Sequence, residues 1–416
     1  MTEIKSLKGF ITYTSNGIPT IEVIATSKSG VTSRYAPPTG LSVSTKEVNP
    51  YPKGGLNALL DTFNSISRKL IGFSYESQEE IDSYLKELDG TNNYENIGGA
   101  ISLALSIVCA ELASKELNVP LFYWISKGFA NNLPIPLGNL IGGGKHARNK
   151  SIDIQEILAM PKNPKSYKEA YYSLNVLHNI TARLLSKKDV YFSGGKNDEG
   201  AWTTTLTDES ALAVVNEAID LAEKETGIKY AIGIDFAASS LWDADINRYY
   251  YPRKRTYLSK EEQLNYVLSL IDEYRDKLQY IEDPFYENDF SGFEQLTREV
   301  GDKIFITGDD LYATNKLLIA LGIERKATNA VVIKPNQRGD LTETIRSSNE
   351  AKRGKMLTVV SHRSGETPYP HLAHIAIGLG SDLFKCGIVG GERIIKHSEM
   401  MYLEEEFGLK LVSITR

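Results

Sequence analysis

An α/β protein built on a (β/α) barrel, preceded by a smaller α+β domain, is the fold class this sequence predicts, and three observations carry it. The first is a series of short apolar runs that each stop at polar chemistry. Residues 230–235 end in Asp235, 278–283 in Glu282 and Asp283, 303–310 in Asp309 and Asp310, 330–334 in Lys334, 359–364 in His362, Arg363 and Ser364, and 383–385 in Lys385. From Glu282 onward these endings recur at roughly 23–28 residues, the length of one strand, one helix and two loops, and barrel chemistry sits at strand ends. The second is a strand–turn–strand pattern at the N-terminus, and the third is a proline-rich break near residue 134.

Taken in order, residues 1 to about 60 read as sheet. Phe10 to Thr14 and Thr20 to Ala25 flank the turn Ser15-Asn16-Gly17, a hairpin signal. Between Leu56 and Lys127 the period becomes helical, through Leu56, Leu59, Leu60, Phe63 and Ile66, then an Ala/Leu-rich stretch over 100–117. Asn131, Asn132, Pro134 and Pro136 punctuate the chain, which places the boundary between an N-terminal domain, 1–133, and a barrel, 134–416. Helices are predicted at 210–226, 260–277 and 342–352. The longer step from Asp235 to Glu282 leaves room for one more unit or for an insertion around 241–258, and the pattern does not choose.

With 416 residues the chain can bury a large core beside a second domain. A net charge of −6 and no long Lys/Arg tract speak against nucleic acid or an anionic membrane as partner, and for a small ligand. Two cysteines in separate apolar segments, Cys109 and Cys386, read as buried thiols of a cytoplasmic protein. No signal segment and no spanning apolar run is read.

Asp235, Glu282 and Asp309, at the ends of different strands, can converge, and three uncompensated carboxylates require a divalent cation. Oxygen-only ligation suits Mg²⁺. Asp283 and Asp310 are placed equally well as ligands. Lys334 faces the same mouth, where a metal and Lys385 should lower its pKa and make it a base. Glu156, next to Gln155, and Glu199, next to Asp198, are two further carboxylates able to share a proton and act as an acid. The Ser361-His362-Arg363-Ser364 cluster suits an anion, with Arg363 offering a planar fork to phosphate or carboxylate.

These residues resemble those of the enolase family over nearly the whole chain. The matching strings are Gly143-Gly144-Lys145-His146-Ala147-Arg148-Asn149, Asp153-Ile154-Gln155-Glu156, Asp198-Glu199-Gly200, Ile281-Glu282-Asp283-Pro284, Gly308-Asp309-Asp310-Leu311, Ile333-Lys334-Pro335-Asn336-Gln337 and Ser361 to Glu366. The resemblance, to a divergent archaeal-type member, implies an enolase-like (β/α)8 barrel with an N-terminal α+β capping domain. It also implies reversible dehydration of 2-phospho-D-glycerate to phosphoenolpyruvate, a cytoplasmic enzyme, and a homodimer or dimer-built octamer. Two Mg²⁺ ions are implied, the first held by Asp235, Glu282 and Asp309 and the second, arriving with substrate, by Ser42. Lys334 would take the C2 proton, and Glu199, supported by Glu156, would protonate the leaving C3 hydroxyl. Arg363 and Ser364, beside His362, would hold the phosphate and Lys385 the carboxylate, while His146 closes over the substrate and Gln155 orients Glu156.

The chain departs from the family pattern at Gly142, where an Asn is usual, at Ala201, where a Gly is usual, and around the lid segment Pro38-Thr39-Gly40-Leu41-Ser42-Val43-Ser44. Those changes keep open a superfamily lyase acting on another 2-hydroxy acid, or an inactive paralogue serving as a binding protein. Ser44 in place of a glycine predicts a stiffer lid hinge.

Overall fold

Strands Thr2–Tyr13 and Pro19–Ser27 pair antiparallel, as the hairpin pattern predicts, around a turn in which Gly17 takes φ 72°. In this computed structural model, which describes residues 1–40, 44–147 and 151–414, a third strand, Thr32–Tyr35, and a two-residue strand at Ser74–Tyr75 complete a four-stranded sheet. Helices Leu59–Leu70, Gln78–Asp89 and Gly99–Glu116 accompany it. The predicted period holds in the first: Leu59, Phe63, Ile66 and Leu70 are its buried face, and Gly9 leaves room on the sheet for the Phe63 ring. Gly99–Glu116 is buried nearly all round, which its Ala/Leu composition anticipates, and each large apolar side chain sealed there contributes roughly 1.5–3 kcal/mol.

Eight strands then close a barrel: Ile135–Gly142, Glu156–Pro161, Tyr230–Asp235, Leu278–Glu282, Phe305–Gly308, Ala330–Ile333, Leu357–Ser361 and Leu383–Lys385. The second strand runs against both neighbours, while the other pairs are parallel. The long step between Asp235 and Glu282 is an insertion and not an extra unit. Trp242–Asp243, Arg248–Tyr251 and Thr256–Leu258 form a separate three-stranded sheet there, ahead of helix Lys260–Glu273. That helix opens on a Ser259/Glu262 capping box and stops short of the predicted residue 277. The helices predicted at 210–226 and 342–352 span Asp208–Thr226 and Leu341–Arg353. Both cysteines are buried and unbridged. No helix among the described residues is long and apolar enough to cross a membrane.

The two halves dock through buried polar groups. Asp340 caps helix Leu341–Arg353 by accepting the Glu343 N–H, and its other oxygen accepts the Tyr94 hydroxyl at 2.7 Å. Beside it, Asp82 accepts both the N–H and the hydroxyl of Thr342, at 2.9 and 2.6 Å. Tyr94→Phe removes a buried hydrogen bond to Asp340 Oδ2, which keeps Lys86 at 3.4 Å, and should cost about 1.5–3 kcal/mol, the range for a bond to a charged group. The expected readout is a lower urea midpoint with an unchanged slope.

Candidate active site

The strand ends converge on one cavity. Asp235 and Glu282 close the third and fourth strands in register with each other, Lys385 closes the eighth, and Asp309, Lys334 and His362 follow the fifth, sixth and seventh directly. Glu156 arrives differently. Because its strand is reversed, it is the first residue and not the last, and it pairs with Asp235 on one side and Gly142 on the other. His146, Gln155, Glu156, Glu199, Asp235, Asp309, Lys334, His362, Arg363, Ser364 and Lys385 all line the cavity. Glu282 is fully buried and meets the lining through Lys385, 2.9 Å away. Ser42 is outside the described residues.

Charge is concentrated here and interleaved. Lys385 Nζ lies 2.8 Å from Asp235, 2.9 Å from Glu282 and 3.2 Å from Glu156. Burial alone would depress its pKa, but the carboxylates of Asp235, Glu156 and Glu282 outweigh burial and hold it well above the ordinary lysine range. Lys334 touches Asp309. Its pKa, expected to fall, is raised: burial, the largest single influence, pushes it down, as do Arg363 and Lys385, but the adjoining Asp309 carboxylate together with Glu282 outweighs them. Glu282, which accepts the Tyr280 hydroxyl at 2.6 Å, is pushed up to about 8 by burial and by Asp235.

Among the described residues, two groups bring three ligand atoms within 4.8 Å of one another: Asp283, Asp309 and Asp310, and His146, Glu156 and Glu199. Asp283 is already committed, since its two oxygens accept the backbone N–H groups of Asp309 and Asp310 at 3.0 and 2.7 Å. It shapes the loop that presents Asp309. Gln155 donates to Asp235 at 3.5 Å, while its own amide oxygen, like Glu282 Oε1, has no hydrogen-bond partner.

Across the cavity, Glu156 and Glu199 titrate in opposite directions. Burial and the neighbouring Glu199 charge raise Glu156 well above the ordinary carboxylate range. Burial would raise Glu199 too, but the imidazoles of His146 and His362 hold it well below that range. Glu199 Oε1 lies 3.3 Å from His146 Nδ1 and 3.5 Å from His362 Nε2, and Oε2 accepts from Asn139 at 3.0 Å. His362 Nδ1 accepts the Gly387 N–H at 3.2 Å, so the neutral ring carries its proton on Nε2, toward Glu199. One proton shared by the two carboxyls therefore rests on Glu156.

The anion corner holds an internal anion. Arg363 Nη1 and Nη2 meet the Glu47 carboxylate at 2.8 and 3.3 Å, and Nη1 also donates to Asn336 at 3.2 Å. Sequence reasoning missed Glu47, Asn139 and the fully buried Arg393, whose guanidinium donates to the carbonyls of Asp198, Arg363 and Ser364. Only Glu47 left a signal, a carboxylate close to the lid segment. The family departures have a local reason at Gly142: a side chain there would collide with the Asn197 amide, which occupies that space. Asn197 in turn accepts the N–H groups of Glu199 and Ala201, both at 3.0 Å, and so shapes the turn that carries Glu199. Gly200, at φ 81°, lies against the Val389 carbonyl, where a side chain has no room.

Comparison with known proteins agrees with this architecture. The family model described as "Enolase, N-terminal domain" matches residues 4–125, and "Enolase, C-terminal TIM barrel domain" matches 130–413. The chain is 41% identical to the enolase of Methanosphaera stadtmanae over 394 residues, which cover 94% of each protein. It is 40% identical to that of Pyrobaculum aerophilum over 410 residues, covering 97% of this chain and 96% of the relative. With that of Methanothermobacter thermautotrophicus it shares 39% over 393 residues, 94% of each. On both matched domains and on identity along nearly its entire length, the chain belongs to the enolase family.

Proposed function

We propose that this lyase of the enolase family, a phosphopyruvate hydratase, interconverts 2-phospho-D-glycerate and phosphoenolpyruvate with Mg²⁺ held by Asp235, Glu282 and Asp309. The observation that carries the reading is that Lys334, the Glu156/Glu199 pair, Asp235 and Asp309 line one cavity, with Glu282 in register beside Asp235. The donors fit a hard cation: all are carboxylate oxygens, and Glu282 Oε1 is buried without a hydrogen-bond partner. Bound there, with a second Mg²⁺ that Ser42 would help hold, the metal supplies positive charge for the second negative charge that develops on the substrate carboxylate.

The chain's own groups divide the protons. Lys334 accepts the C2 proton once Asp309 is engaged elsewhere and no longer holds the ammonium charged. Glu199 donates to the departing C3 hydroxyl, recharged from the proton resting on Glu156. His146 and His362 hold Glu199 in place from two sides. Arg363 and Ser364 take the phosphate and Lys385 the substrate carboxylate, and Gln155 steadies Asp235 in addition to the role foreseen for it beside Glu156. We place the domain boundary at 133/134, a few residues past the break between the matched family segments, which end at 125 and begin at 130. A cytoplasmic homodimer, or an octamer built from dimers, fits the unbridged cysteines and the exposed Phe10, Ile11 and Tyr13 on the first strand. The net charge of −6 favours neither nucleic acid nor an anionic membrane as partner.

Chelation should abolish phosphoenolpyruvate formation from 2-phosphoglycerate, and added Mg²⁺ should restore it; turnover surviving exhaustive EDTA treatment contradicts the metal assignment. Lys334→Ala should lower exchange of the substrate C2 proton with deuterated water by about 10²–10⁴-fold. Glu199→Gln should retain part of that exchange while losing elimination, so equal loss of both in the Glu199 variant argues against this division of labour.

A further inference from the structure

The guanidinium of Arg363 already holds a carboxylate in the geometry it would offer a phosphate. Its two terminal nitrogens meet the two oxygens of Glu47 at 2.8 and 3.3 Å, and both side chains are nearly sealed, at 3% and 4% exposure. Two parallel N–H···O bonds are the arrangement by which arginine grips phosphoryl groups. Arg363 is the fixed partner. Its N–H donates to Glu366 at 3.0 Å, its carbonyl accepts from Arg393 at 2.6 Å, and a side chain at Gly40 would strike the guanidinium. Glu47 sits on an irregular segment of the N-terminal half, and among the described residues Oε1 accepts the Ser44 N–H at 3.2 Å and the Gln337 amide at 3.3 Å beside the arginine.

We propose that Glu47 sets the affinity and anion selectivity of the phosphate subsite: it is an internal carboxylate that the substrate phosphoryl group displaces from Arg363. A buried guanidinium without a counter-charge is strongly unfavourable, so the fork holds some anion at all times. The resident one carries a single charge, which a phosphoryl dianion outcompetes and a carboxylate monoanion does not. Gln337 extends the effect, because its amide bridges Glu47 at 3.3 Å and Asp309 at 3.1 Å. Displacement of Glu47 leaves that amide to Asp309 alone and so links the anion corner to the metal ligands. The proposal rests on the reading that the substrate carries a phosphate.

The test is calorimetric titration of inorganic phosphate into the Mg²⁺-loaded parent, Glu47→Gln and Glu47→Asp, with KM and kcat for 2-phosphoglycerate measured on the same preparations. Glu47→Gln removes the charge and should tighten phosphate binding by about tenfold, the effect of losing one charge-assisted contact from the competitor, with KM falling in parallel and kcat changing less. Glu47→Asp, too short to keep both bonds, should shift in the same direction and decides the matter if the first variant does not fold. A residue that only supported Arg363 would raise KM and weaken phosphate binding. Unchanged or weaker phosphate affinity in variants with the parent's melting curve overturns the proposal. A parent that fails to turn over 2-phosphoglycerate overturns the substrate reading instead, while the phosphate titration still reads Glu47.

Discussion

Lys385 is the contact on which the arrangement of the site depends. A fully buried ammonium within 3.2 Å of carboxylates from the second, third and fourth strands neutralises what would otherwise be an acid cluster unable to ionise together. Lys334 does the same for Asp309, and Arg363 for Glu47. Each acid is therefore held by a cation from a different segment of the chain. The barrel register fixes these pairings directly: Asp235 pairs with Glu282 and Glu156, and Ser361 with Lys385, so a slip of one residue would turn these side chains out of the barrel mouth. The same interleaving explains why Lys334 is held charged before any ligand arrives. Burial is the largest single influence on it and lowers its pKa, so its basicity depends on the Asp309 and Glu282 carboxylates that together outweigh that cost.

The reversed second strand is the other constraint. A parallel strand in that place would bring its last residue to the active end. Running backward, it brings its first, and this is how Glu156 comes to lie against Asp235 and share a proton with Glu199. The turn that carries Glu199 is fixed separately, by Asn197 accepting two backbone donors and by Arg393 gripping the carbonyls of Asp198, Arg363 and Ser364. Thus the acid pair joins a strand start to an irregular loop, with no common periodicity between them.

That difference decides what the sequence could reveal. Asp235, Glu282, Asp309, Lys334, His362 and Lys385 were legible because a buried strand is a continuous apolar run, and the residue that breaks it is by construction at the rim. The hairpin at Ser15-Asn16-Gly17 and the helix face through Leu59, Phe63 and Ile66 were legible for the same reason, a local pattern with a known period. The direction of the second strand was not, because an apolar run reads alike in both senses. The insertion at 242–258 was ambiguous because three short strands and a helix occupy the length of a further unit. Arg393 was illegible because it acts on backbone carbonyls in other loops and nothing in its own neighbourhood marks it, and Glu47, though a carboxylate close to the lid segment, gave no hint of a partner 316 residues away.

The N-terminal half is therefore part of the site as well as a cover over it. Thr39 bridges Gly365, Ser15 N–H donates to the Glu366 carbonyl, and Thr367 donates to the Ala36 carbonyl, so three contacts hold the segment before Gly40 against the loop that carries Arg363. On the far side, Gly339 at φ 79° lets Tyr94 reach Asp340 in the turn that follows Lys334, Pro335 and Gln337. The docking contacts and the groups proposed for chemistry thus share two stretches of backbone, 334–342 and 362–367. A shift of the N-terminal half by the length of one hydrogen bond would move Arg363's counter-charge and the support of Lys334 together, and this ties domain docking to the electrostatic balance at the barrel mouth.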